Sequence, residues 1–80
     1  VYIHGGGFEV GGIGKFDAKL LVSKGVVVVS IQYRLNVFGF LVTEESEGNF
    51  GLEDQRLALQ WVRKNVQNFG GDPDRITLCG

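Results

Sequence analysis

The stretch His4-Gly5-Gly6-Gly7-Phe8 combines residue types and order in a way that suits chemistry. Three consecutive glycines carry no Cβ, so nothing on them blocks an approaching group, and their N–H groups can turn toward one point. Converging backbone donors serve acyl transfer. They are aimed in advance at the carbonyl oxygen that becomes negative in the tetrahedral intermediate. A flexible glycine-rich turn is the competing reading of the same residues. Two phosphate-binding motifs fail on spacing. A Walker A loop closing at Gly14-Lys15 needs glycine at position 9 and Ser or Thr at position 16, where the chain has Glu9 and Phe16. A dinucleotide fingerprint beginning at Gly5 needs glycine at position 10, which is Val10.

Few other side chains compete for a chemical role. His4 is the only histidine and stands beside the glycines, either as a general base or as a residue that packs or hydrogen-bonds to the loop. Glu9 follows the loop, where it either tunes ligand choice or is a solvated charge. Cys79 is the only cysteine, so no internal disulfide exists, and its place in an apolar run predicts a buried structural thiol. Trp61 is expected to pack in the core. The chain shows no ligand cluster for a metal, and no cofactor is expected.

These residues need elements to position them. Residues 1–3 read as the end of a strand and residues 5–14 as a loop. Residues 15–24 form a short helix with Phe16, Leu20 and either Ala18 or Leu21 near one face. Residues 26–31, VVVVSI, lack apolar/polar alternation and suit a strand covered on both faces, as in a parallel sheet. Residues 32–50 read as mostly irregular, with a solvated acidic loop at 43–48. Residues 52–69 predict the best helix, its face formed by Ala58, Val62, Val66 and Phe69 with Leu59 beside them. Gly70-Gly71 ends it and Pro73 prevents its resumption. Residues 76–79 start another strand. The order β, loop, α, β, loop, α, β predicts an α/β fold with right-handed crossovers. Residue 1 falls inside a strand and residue 80 at a strand's exit. Residues 1–80 are therefore expected to be a partial domain, truncated at both ends.

The composition fits a globular chain. Of its 80 residues, 44% are hydrophobic and 21% charged, which separates it from disordered sequences. The net charge of −1 with mixed signs leaves no basic patch for nucleic acid. No apolar run approaches the roughly 20 residues needed to span a bilayer.

Four blocks together resemble the type B carboxylesterase and cholinesterase family: VYIHGGGF at 1–8, VVVSIQYRLNVFGFL at 27–41, GNFGLEDQRLALQWVRKNV at 48–66, and FGGDPDRITLCG at 69–80. They occur in the family's order and close to its spacing. A sister family of hormone-sensitive-lipase-like esterases shares HGGGF and GGDPDR but usually follows Tyr-Arg-Leu with Ala-Pro. Here Tyr33-Arg34-Leu35 leads into Asn36-Val37-Phe38-Gly39, as in type B.

The resemblance implies a partial α/β-hydrolase fold, a mostly parallel sheet with flanking helices. It implies a serine carboxylesterase acting on a small-molecule ester, with the backbone N–H groups of Gly6 and Gly7 in the oxyanion hole and Gly5 shaping the loop. Gly80 matches the first glycine of the G-x-S-x-G nucleophile elbow, placing the serine two positions beyond it. The family's catalytic histidine and acid lie much further on, so His4 is assigned to packing or to a hydrogen bond with the loop. Arg34 and Asp54 are expected to form a buried structural ion pair. The same resemblance leaves room for a catalytically inactive, cholinesterase-like adhesion or binding protein. It favours secretion or the ER lumen, and it is silent on membrane attachment and oligomeric state.

Overall fold

The computed structural model describes residues 1–80. Val1, Tyr2 and Ile3 are β-branched or aromatic and suit an extended backbone; they supply β1, Tyr2–Ile3. β1 pairs in parallel with β2, Ser30–Ile31, in the register Tyr2↔Ser30 and Ile3↔Ile31. Its other edge carries a second parallel bridge, Tyr2↔Cys79. Successive amides of β1 donate to opposite neighbours: Tyr2 N–H to the Val29 carbonyl at 2.8 Å and Ile3 N–H to the Cys79 carbonyl at 2.9 Å. β1 is thus the middle of three parallel segments although it comes first in the chain.

This order has a consequence for function. The chain moves from β1 to one side, then returns past β1 to the other. Right-handed crossovers running in opposite directions put their helices on opposite faces of the sheet. At such a reversal the loops leaving adjacent strands diverge, opening a crevice at the carboxyl ends. The glycine loop leaves β1 at that end. Gly80 lies alongside, so close that a Cβ on it would meet the Ile3 carbonyl oxygen at 2.6 Å.

The helices differ from expectation at their ends. The helix expected over residues 15–24 shrinks to α1, Lys19–Ser23, preceded by a separate 3-10 turn, Ile13–Lys15. Phe16 is held extended between them because its ring stacks on Tyr2, with centroids 3.9 Å apart and planes at 7°. The Asp17 carboxylate then accepts from Lys19 N–H at 3.0 Å. Residues 32–50 are mostly irregular as expected, with one short helix among them, α2, Asn36–Phe40. The long helix, α3, spans Phe50–Asn65 and begins two residues before the expected start, after Asn49 in a left-handed conformation. A 3-10 turn, Val66–Phe69, continues it, and Gly70 ends it at φ 84°, as its glycines suggest.

Burial is sparse and spread over the strand exits, α2, α3 and the turn that follows it. Ile31, Tyr33, Val62 and Val66 are the buried hydrophobic residues. The expected inward stripe of the long helix therefore holds at Val62 and Val66 and fails at Phe69, which is exposed. Trp61 is not a core residue: it is half exposed and tilts against Phe69 at 6.1 Å. Cys79 is exposed and not buried, because its segment bonds β1 along one edge and no layer lies over it. Strand pairing in the 26–31 run is limited to Ser30–Ile31, since β1 opposite it is only two residues long. No helix is long and apolar enough to cross a membrane.

Candidate functional site

The glycine loop turns out of β1 through three successive positive-φ residues: Gly6 at 136°, Gly7 at 64° and Phe8 at 64°. Left-handed geometry is open to glycine and unfavourable for phenylalanine. The Gly6 carbonyl accepts from the amides of Glu9 and Val10, both at 3.2 Å, which folds the loop back on itself. The fold-back is tight: a Cβ on Gly6 would collide with the Val10 carbonyl, while one on Gly7 would meet open space. The N–H groups of Gly5, Gly6, Gly7 and Phe8 donate to no acceptor in the chain, and all four residues are exposed. Exposed main-chain donors without a partner in the chain bond water or a ligand instead. Four unpaired ones in succession, at the carboxyl end of the middle strand, are available to an outside acceptor.

Side chains from β2's exit support this loop. His4 is buried, its ring stacked on Tyr33 with centroids 4.5 Å apart and planes at 16°. Its Nδ1 lies 3.0 Å from the Gly5 carbonyl oxygen, so the tautomer that bonds there carries the proton on Nδ1. Nε2 is buried without a partner. The Tyr33 hydroxyl donates to the His4 carbonyl at 2.7 Å. His4 therefore braces the loop's entry. Phe8 braces its exit, touching Phe40 at 5.0 Å and Tyr33 edge-on at 6.5 Å, while its carbonyl accepts from Asn36 N–H at 2.7 Å. Glu9 is exposed.

Arg34 and Asp54 do meet, tying β2's exit to α3. Asp54 accepts three bonds from Arg34: from Nε at 2.8 Å, from Nη2 at 2.7 Å and from the backbone N–H at 2.9 Å. The guanidinium lies 4.9 Å over the Phe50 ring. The side-chain hydrogen bond from Arg34 holds the Asp54 carboxyl below its ordinary 3.8, against the opposing pull of desolvation. The same bond raises Arg34. The pair is not buried as expected. Arg34 is 52% and Asp54 22% solvent-accessible, because only Phe50 covers the guanidinium and its far edge faces solvent. Solvent therefore screens the pair's attraction, and its geometric role dominates. The Arg34 carbonyl sits in a crowded corner, where a Cβ on Gly39 of α2 or Gly51 of α3 would collide with it.

Of the residues singled out by sequence, the structure gathers Gly5, Gly6, Gly7 and Gly80 at one end of the sheet and joins Arg34 to Asp54. Sequence reasoning missed Tyr33 and Asn36 as braces. The only available sign was an asparagine at a chain corner, since asparagine tolerates left-handed backbone; Asn36 has φ 61°.

Parallel strands, crossover helices and a glycine loop at the sheet's carboxyl end are consistent with part of an α/β-hydrolase fold. The chain belongs to the carboxylesterase family, whose model matches residues 1–80. It is 52% identical over 83 residues to carboxylesterase 1F of Mus musculus and 52% identical over 85 residues to acetylcholinesterase-1 of Trittame loki. It is also 49% identical over 81 residues to the neuroligin-like protein glit-1 of Caenorhabditis elegans. Each match covers 100% of this chain but only 15%, 15% and 11% of the respective relative.

Proposed function

We propose that residues 1–80 are the oxyanion-loop segment of a longer serine hydrolase acting on small-molecule carboxylic esters, and part of its α/β-hydrolase domain. The run of unpaired amides from Gly5 to Phe8 carries this reading. In it, the N–H groups of Gly6 and Gly7 accept the developing oxyanion, and the residue after the nucleophile adds a third donor. Gly80, packed against Ile3, opens the elbow that presents a serine two positions later. That serine attacks the acyl carbon with a histidine and an acid supplied from elsewhere in the protein. Losing one such donor raises the barrier by about 3–4 kcal/mol.

A second reading, a catalytically inactive cholinesterase-like adhesion or binding protein, is compatible with the neuroligin-like relative. Labelling the full-length protein with a fluorophosphonate separates the two. Stoichiometric labelling of a serine two positions after Gly80 is the expected outcome. No labelling, or a different residue at that position, overturns the esterase reading.

A further inference from the structure

We propose that Asn36 is a positioning residue for the oxyanion donors: its N–H clamps the Phe8 carbonyl and thereby sets the direction of the Gly6 and Gly7 amides. The inference rests on the reading of Gly6 and Gly7 given above. Between Ile3 and Glu9 the backbone has two distant anchors. The His4 carbonyl is held by Tyr33 Oη at 2.7 Å, and the Phe8 carbonyl by Asn36 N at 2.7 Å. The other bonds of this stretch are local, from Glu9, Val10 and His4 to carbonyls of the loop itself. Three glycines between two clamps have little stiffness of their own, so the clamps determine where their N–H groups point.

The exit clamp joins two residues that both adopt left-handed backbone, Phe8 at φ 64° and Asn36 at φ 61°. Asn36 carries that conformation at small penalty, and its Oδ1 also accepts from Val37 N–H at 2.9 Å. Two residues earlier, Arg34 is fixed to α3 through Asp54 by main chain and side chain. The connection therefore runs from α3 through Asp54, Arg34 and Asn36 to Phe8. A β-branched residue at 36 would keep the N–H but resist φ 61°, and so would displace the clamp without deleting the donor.

The test uses the full-length protein and four variants. Asn36→Gly keeps both the N–H and the left-handed backbone; Asn36→Val keeps only the N–H. Asn36→Ala is a milder substitute where Asn36→Val does not fold. Asn49→Val imposes the same strain at another left-handed asparagine, φ 64°, which makes no hydrogen bond to the loop. Two quantities are read: kcat for an activated ester per titrated active site, and deuterium uptake at Glu9 and Val10, the amides bonded to the Gly6 carbonyl. Asn36→Val is expected to lower kcat about tenfold with KM nearly unchanged, and to speed uptake at both amides. Asn36→Ala is expected to move both the same way by less, and Asn36→Gly and Asn49→Val to stay near wild type. Wild-type kcat and uptake in Asn36→Val, or the same losses in Asn49→Val, overturn the proposal. A wild-type protein that hydrolyses no ester overturns the esterase reading instead, and the uptake measurement still decides the role of Asn36.

Discussion

Residues 5–8 and helix α3 treat the same backbone chemistry in opposite ways. In α3 each amide after the first turn closes onto a carbonyl four residues back, beginning with Glu53 N–H on Asn49 O at 2.9 Å. In the glycine loop four successive amides close onto nothing. The helix closes its backbone bonds within itself beyond the first turn and is chemically silent. The loop holds usable donors because its shape is imposed from outside, by Tyr33 and Asn36, and through Arg34 and Asp54 by α3 itself. A site made of unpaired donors thus depends on a neighbour whose donors are mostly paired.

The comparison breaks most completely if the frame is removed. Only 7 of the 80 residues are buried, too few for an independent core. Residues 1–80 expressed alone are expected to hydrolyse no ester and to melt without a cooperative transition; a sharp calorimetric peak would contradict this. Within the full-length protein, Gly6→Ala forces a Cβ into the Val10 carbonyl at φ 136°. A fall in kcat of about 100- to 1,000-fold is expected. Gly7→Ala has open space and only the left-handed penalty of about 1–2 kcal/mol, so a loss of about tenfold is expected. Equal losses at the two positions would mean that steric closure at Gly6 does not shape the loop.

Changes in the frame have smaller effects. Asp54→Asn removes a bidentate acceptor and is expected to lower Tm by about 2–4 °C. The acid side sharpens this. Because the folded carboxyl titrates below 3.8, its stabilisation is complete at higher pH and is lost as pH falls through the folded value. The Tm difference between wild type and Asp54→Asn should be constant above about pH 5 and close below about pH 4. A difference that widens in acid would reverse the assigned sign. Glu53→Gln, which opens an exposed pair with Arg56 on α3, should shift Tm by less than about 1 °C.

The glycine loop, the long helix and the Arg34–Asp54 contact were readable in the sequence, each for a local or motif-level reason. The loop follows a strand in one short block. α3 declares itself by the spacing of Ala58, Val62 and Val66. α2 did not, because Asn-Val-Phe-Gly-Phe is too short for a 3.6-residue stripe and contains a glycine and a β-branched residue. The braces on the loop were hidden for a different reason. Tyr33 to His4 and Asn36 to Phe8 are contacts between residues 29 and 28 positions apart, and no local pattern announces them. Burial of Cys79, Trp61 and the ion pair was misjudged because apolar patterning says which face seeks cover, not whether these residues provide it.

The middle place of β1 also sets a timetable. It leaves the ribosome before either partner, residue 30 on one side and residue 79 on the other. Parallel partners cannot zip from a hairpin, and each pairing waits for a long stretch of chain to be made. A nascent chain that has not yet released Asn36 holds its glycines as ordinary slack. The loop can take its working shape only after synthesis has passed that corner, and β1 gains its second neighbour just as the chain reaches Gly80. Assembly of the three-segment sheet is thereby tied to translation of residues 77–80.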